Sequence, residues 1–353
     1  MKRSILHVAV VIATATFALT ACGNDTAENS GSPADCASTG DPKTLTVYSG
    51  RSEKLVKPLL DSVGADVLGE GVRLQALYDQ KPVKILEEGR RSPADVWFGQ
   101  DAGELGALAK HGQLGELPDS AVKSVPSQYV DPNRHWVGVT LRSRVLAYDP
   151  RQVPAADLPG GIDALVDPKW RGKIGYAPTN ASWKSFVTAL RVLRGDDGAR
   201  AWLTKFKATE PVEFDKNGAV LDAIDQGQLS FGLINHYYWF MKVGAQGADK
   251  VNAKIHYFKG EKEPGALVNI AAAGVLACSD NKEAATRLVE FLLGAKAQQY
   301  FADETGEYPV LAGVKSKHAL PTLNELSPPP IDLNKLESLE ATEAMLKDVG
   351  LLD

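Results

Sequence analysis

Two tyrosines, Tyr237 and Tyr238, stand side by side in the stretch LSFGLINHYYWFMKVG, residues 229–244. A phenol is neutral near pH 7, with an ordinary pKa near 10. Once deprotonated it is a hard anionic oxygen of the kind a highly charged cation prefers. Successive side chains on a regular strand point to opposite faces. Two adjacent tyrosines therefore serve one site only where the backbone leaves that regularity. The stretch alone supports two readings: a pair of oxygens converging on a ligand, or an aromatic lining or core.

A second chemical feature is PTNAS, residues 178–182. Thr179, Asn180, Ala181 and Ser182 precede the apolar stripe Trp183, Phe186, Val187, Leu190 and Leu193, which has helical spacing. Such residues cap a helix, and a helix start with hydroxyls and free amides also binds anions. Capping holds with or without an anion. Catalytic signatures are absent: there is no nucleophile elbow, no glycine-rich phosphate loop and no Ser-His-Asp order. The six histidines are dispersed. No Cys-x-x-Cys occurs, and no histidine pair has zinc-finger spacing. An enzyme is not expected.

The chain start bounds where this chemistry takes place. Lys2 and Arg3 precede an apolar run without formal charge until Asp25, which reads as a secretory signal segment over residues 1–21. Residues 19–22, Leu-Thr-Ala-Cys, resemble a lipobox, with Cys22 as the lipidated residue at the outer face of the membrane. Residues 22–43 are small and polar and read as a flexible tether. Loss of Lys2 and Arg3 with the signal takes the formal net charge from -5 to -7, which argues against nucleic acid as a partner. Cys36 and Cys278 remain, either as one disulfide or as two free thiols; an exported protein favours the bridge.

Elements that would position these groups follow in order. Strand-like stretches at 44–50, 72–78 and 94–99 alternate with helical stretches at 52–63, 83–89 and 102–112. This is the pattern of a mostly parallel sheet covered by helices, with Pro58 kinking the first helix. Ligands of such sheets sit at the carboxyl ends of strands. Those ends are residues 49–52, 78–81 and 99–101, the last including Gln100 and Asp101. The run at 135–150 is long enough to leave one sheet and enter another. A second unit follows, with strands at 173–177, 211–217 and 230–238, a helix ending at Gly195 and another at 219–227. The apolar run at 265–278 would cross back, followed by helices at 282–294, 295–306 and 340–349. The expectation is an α/β chain with two mixed sheets joined by hinge strands and a cleft between two lobes. Lobe 1 would comprise residues 44–141 and 267–353, and lobe 2 residues 142–266. Such lobes can close on a ligand.

The stretches LTVYSGRSEKLVKPLL, RRSPADVWFGQDAGELGALAKHG, DPKWRGKIGYAPTNASWKSFVTALRVLRG, LINHYYW, EPGALVNIAAAGVL and TGEYPVLAGV resemble, in the same order, the ferric-iron-binding substrate-binding proteins of bacterial ABC transporters. The resemblance runs from Leu45 to the C-terminus. It implies the type II periplasmic-binding-protein fold, a monomer and an ABC permease as partner. It also implies Tyr237 and Tyr238 as phenolate ligands to Fe³⁺ from an irregular strand end. A carbonate or phosphate anion would be held by residues 179–182 with Asn217 and Asn235, and supported by Arg142.

The chain departs from that pattern where the family places stronger ligands. Ser52 stands at a histidine position and Gln100 at a glutamate position. Gln100 and the neighbouring Asp101 are the candidates to complete the metal sphere. Tyr48 and Tyr78 are further oxygens near strand ends, with Tyr48 expected in the core. His236 is expected to be structural. Lys81 and Lys84, facing a cleft, would favour an anion. The alternative function is a carrier of the same fold for an anionic or organic solute such as a phosphonate, a thiamine-like compound or a polyamine. Trp97, Trp183 and Trp239 are the tryptophans expected near its cleft.

Overall fold

Strands and helices alternate along most of the chain, as the periodicities require. The computed structural model describes residues 36–353. The signal segment, Cys22 and the tether up to residue 35 lie outside the described residues. The strands are β1 (Thr44–Ser49), β2 (Arg73–Leu77), β3 (Val96–Gly99), β4 (Val137–Tyr148), β5 (Ile174–Tyr176), β6 (Val212–Glu213), β7 (Phe231–Asn235), β8 (Lys254–His256), β9 (Val268–Val275) and β10 (Tyr308–Pro309). The first helices are α1 (Glu53–Leu60), α2 (Ala65–Leu68), α3 (Pro82–Glu88), α4 (Ala102–Lys110) and α5 (Asp119–Val122). Then come α6 (Ala181–Ala208), α7 (Asn217–Asp225), α8 (Tyr237–Gln246), α9 (Lys282–Leu292), α10 (Ala295–Tyr300), α11 (Leu323–Leu326) and α12 (Leu339–Asp348).

The strand order is β2-β1-β3-β9-β4-β7-β5-β6, with β8 and β10 also paired to β4. β1 lies parallel to β2 and β3, and every residue of β1 is buried because both faces of the sheet are covered. β9 returns antiparallel between β3 and β4, so this section is mixed rather than mostly parallel. β4 has 12 residues, a length of about 40 Å. Its first half pairs with β9 and its second half with β7. One long strand thus belongs to two sheet sections, as its length predicted. The return differs from expectation. β9 is a strand of the first section alone, and the way back from β8 runs through residues 257–267, which form no strand.

The apolar faces make separate cores. Leu45, Val47, Val96, Trp97, Phe98, Leu105 and Ile270 belong to the first. Tyr176, Trp183, Phe186, Trp202 and Phe206 form an aromatic core on α6, with neighbouring ring centroids 5.0–5.7 Å apart. Truncating Trp183 to alanine there should cost about 3–5 kcal/mol. The expected helix end at Gly195 is real but brief: Gly195 has φ 70°, a conformation that favours glycine, and the chain resumes as helix to Ala208.

The C-terminal residues do not all stay with the first section. Leu336 joins the first core, and its carbonyl lies 2.6 Å from where a Cβ on Gly103 of α4 would stand. Only glycine allows that approach. A few residues on, Met345, Leu346 and Leu351 pack into the aromatic core on α6. Assigning all of 267–353 to the first lobe therefore does not describe where α12 packs. Cys36 and Cys278 are joined by a disulfide, 242 residues apart in sequence. It ties the segment before β1 to the chain just after β9.

Candidate metal and anion site

β7 ends at Asn235, opposite Arg144 of β4. The next residue, His236, takes αR dihedrals and starts α8. Its backbone N–H donates to Ser143 O (3.0 Å), and its Nδ1 accepts from Ser143 N–H (3.2 Å). This exchange fixes the turn and places the ring proton on Nε2. Burial lowers the His236 pKa to about 4, so the ring is neutral. It packs among Tyr308, Tyr237, Phe240 and Tyr257. Tyr237 and Tyr238 are consequently the first two residues of a helix, not the irregular end of a strand.

Helix entry brings the two phenols together: their rings stack with centroids 4.4 Å apart and planes at 25°. Tyr237 is 3% exposed and belongs to the first core, although it follows a strand of the second sheet section. Tyr238 is half-buried. Among the described residues neither hydroxyl has a hydrogen-bond partner. Burial, and then the neighbouring Tyr238, push the Tyr237 pKa well above its ordinary value, while Arg142 and Arg51 pull the other way. Tyr237 is a neutral phenol until a stronger cation displaces its proton.

Three buried arginines lie close enough to act on the charge of the pair, Arg51 and Arg142 on Tyr237 and Arg144 on Tyr238. Arg142 and Arg144 alternate on β4 and so share a face. Arg51 follows β1 and forms a fully buried ion pair with Glu307 at 2.8 Å. Glu307 also accepts from Thr140 Oγ1 (3.1 Å) and Thr305 Oγ1 (3.0 Å). Burial opposes ionisation of Glu307, yet Arg51 and Arg142 hold its carboxyl below the usual range. Arg144 is lowered to about 9 by burial, against the pull of Tyr238. Nε and Nη1 of Arg51 and Arg142, and Nε of Arg144, are buried without partners among the described residues. Unpaired buried donors of this kind are costly, and they favour an anionic group, whether phenolate or oxyanion.

Asn180 caps α6, accepting from Ser182 N–H (3.0 Å) and Ser182 Oγ (2.7 Å). Asn217 opens α7 and donates through Nδ2 to Ser182 Oγ (2.9 Å), while its Oδ1 has no partner. Arg144 Nη1 donates to Ser182 Oγ (3.1 Å) and Nη2 to Leu233 O (2.8 Å). Arg142 instead donates to Ile270 O (2.8 Å). The arginine that touches the 179–182 loop is therefore Arg144, and Arg142 has no carboxylate within 4.0 Å among the described residues. Asn235 meets this group only through its register with Arg144.

Gln100 and Asp101 are spent on local structure. Asp101 caps α4 by accepting from Glu104 N–H (3.2 Å), and burial raises its pKa against the pull of Arg142. The Gln100 side chain donates to Gly50 O, and its backbone N–H donates to Glu104 Oε2 (2.8 Å). Burial, followed by the charge of Asp101, raises Glu104 to about 8. Among the described residues no cluster of three His, Cys, Asp or Glu has metal-binding geometry. A cavity of about 730 Å³ lies beside this wall, lined from the first section by Gly50, Lys81, Gln100, Asp101 and Glu104, and from the second by Thr179, Asn180, Ala181 and Lys184.

Tyr237, Tyr238, Arg142, Ser182, Asn217 and Asn235 are not among the residues that line this cavity, and the remaining candidates fall outside its lining as well. Lys84 lies 4.2 Å from the Tyr48 ring centroid. Tyr48 is buried, with its hydroxyl on Glu88 (3.0 Å), and Tyr78 packs near Lys57. Trp97 and Trp183 are core residues, and Trp239 donates to Ala253 O (2.7 Å). Sequence reasoning missed Arg51, Arg144, Glu104 and Glu307. Of these, Arg51 carried a local signal in its place at the strand end 49–52, and Arg144 in its spacing of two from Arg142 on a strand.

A family described as bacterial extracellular solute-binding protein matches residues 92–337. The major ferric iron-binding protein of Neisseria meningitidis serogroup B is 32% identical over 313 residues, covering 87% of this chain and 93% of that protein. The Fe(3+)-binding periplasmic protein of Serratia marcescens is 31% identical over 310 residues, covering 87% and 90%. Among solved structures, iron-bound HitA from Pseudomonas aeruginosa is similar with a TM-score of 0.81 at 32% identity, covering 87% of this chain and 99% of that one.

Proposed function

Because this chain belongs to the bacterial extracellular solute-binding protein family, with the two-lobed type II periplasmic-binding-protein fold, we propose that it captures ferric iron outside the cytoplasm and hands it to an ABC permease. In this reading Tyr237 and Tyr238 are the phenolate ligands. The observation that carries it is the stacked pair itself: two phenols without hydrogen-bond partners among the described residues, set among Arg51, Arg142 and Arg144. Fe³⁺ is the cargo, and its charge supplies the drive to deprotonate both phenols.

An oxyanion such as carbonate or phosphate completes the sphere from the 179–182 loop, with Asn217 and Arg144 beside it. It takes the place of the histidine and glutamate that Ser52 and Gln100 replace. Residues 1–21 are the signal segment, Cys22 carries lipid, and the protein works as a monomer whose two lobes hinge along β4. The relatives named above are described as iron-binding proteins, which supports a carrier over an enzyme.

The test is visible absorbance of the mature protein during addition of ferric citrate. A one-to-one coloured tyrosinate–iron(III) complex, lost in both Tyr237→Phe and Tyr238→Phe, is the expected result. The second reading, an anionic or organic solute, draws on the cavity of about 730 Å³ and on Lys81 in its wall. No colour, with thermal stabilisation by a phosphorylated solute, would select it.

A further inference from the structure

α12 forms a further side of the cavity, which Leu339, Glu340 and Glu343 line. The turn before it, Leu333–Glu337, rests on α4, with Leu336 against Gly103. The helix itself rests on α6. Thr342 Oγ1 and Thr188 Oγ1 lie 2.8 Å apart, and Arg191 Nη1 donates to Ser338 O (3.1 Å) and Thr342 Oγ1 (3.0 Å). The last residues thus form a strap from the first sheet section to the second. From this strap Glu343 reaches Lys184 and forms an ion pair, the two side chains 36% and 18% exposed. Lys184 stands in the first turn of α6, its backbone N–H on Asn180 O (3.2 Å), and it lines the same cavity as Thr179, Asn180 and Ala181.

We propose that Glu343 is a specificity-determining residue that makes the anion depend on the metal. This inference rests on the reading of the tyrosine pair and the 179–182 loop as one iron-and-anion site. An oxyanion at the loop gains from Arg144, the Ser182, Trp183 and Lys184 amides of α6 being already bonded to Asn180. It would also gain from a direct contact with Lys184, but Glu343 holds that ammonium in the ion pair and keeps it from the anion. The metal-free protein therefore attracts the anion weakly. Iron on the phenols restores the missing positive charge, and the two ligands bind as a set. Coupling of this kind is reciprocal. A carboxylate on the strap thereby keeps abundant free anions from filling the cleft of a metal-free carrier.

The test is a double-variant cycle in the mature protein. Inorganic phosphate is titrated calorimetrically into the metal-free protein, and iron loading is then followed by the visible band with and without phosphate. Glu343→Gln should tighten phosphate binding to the metal-free protein about three- to tenfold and shrink the phosphate dependence of iron loading by the same factor. In a Lys184→Met background, Glu343→Gln should change neither. A purely structural clamp would instead lower the melting temperature and leave metal-free phosphate affinity unmoved, which overturns the proposal. Persistence of the Glu343→Gln effect without Lys184 overturns it as well. Absence of any coloured complex in the unmodified protein is a separate failure, that of the iron reading.

Discussion

Arg144 Nη1 donates to Ser182 Oγ at 3.1 Å, joining the middle of β4 to the cap of α6. The same guanidinium holds Leu233 O on β7, so the strand shared by both sheet sections also braces the 179–182 loop. A planar fork reaches the two acceptors from two separate nitrogens, and an ammonium has one nitrogen to offer. Arg144→Lys should keep the charge but weaken phosphate-supported iron loading about ten- to a hundredfold. Loading measured against phosphate concentration checks this. An equal loss without phosphate would place the arginine's role elsewhere.

Tyr237 presents a trade between stability and binding. Its ring is carried into a core, and its hydroxyl meets no partner among the described residues. Removing such a hydroxyl should leave stability unchanged or raise it. Tyr237→Phe should therefore melt no lower than the unmodified metal-free protein. It should also lose iron affinity by more than about a hundredfold, since even an outer partner of a metal ligand is worth up to that factor. Thermal melts and iron titration of the same sample read both effects.

The Arg51–Glu307 pair gives a pH dependence with a definite sign. The folded-state pKa of Glu307 is held below its ordinary value of 4.5. Its contribution is therefore present above that value and lost as pH falls through the lower folded pKa. Glu307→Gln should remove this part of the acid sensitivity. At neutral pH it should destabilise by about 3–5 kcal/mol, because Arg51 is left buried without a counter-charge. Denaturant unfolding at neutral and acid pH compares the two.

The Cys36–Cys278 bridge closes a loop of most of the described chain. Chain-entropy reasoning assigns such a closure up to about 5 kcal/mol through the unfolded state. Cys36→Ser with Cys278→Ser should lower the unfolding midpoint but leave iron loading intact, because neither cysteine lines the cavity or belongs to the proposed ligand set. A loss of iron affinity would link the tether to the cleft.

Much of this molecule was legible in local pattern. Period-two and helical stripes located β1, β3, α4, α6 and α9, and the long strand-like run at 135–150 announced the strand that serves both sheet sections. The adjacent tyrosines and the PTNAS loop stand out as candidates because their chemistry is visible in the residues themselves. What sequence reasoning could not supply was side-chain direction. Asp101 and Gln100 sit at a strand end and line the cavity as expected, yet Asp101 Oδ1 caps α4 and Gln100 Nε2 holds Gly50 O. Arg51 and Glu307 are 256 residues apart, and nothing in either neighbourhood foretells their pairing. The C-terminal helix reads as an ordinary amphipathic segment, and only packing decides that it lies on α6 and brings Glu343 to Lys184. Periodicity records which face of an element is buried. Which distant groups meet on that face depends on the balance of burial, hydrogen bonding and charge that exists only once the sheets have closed.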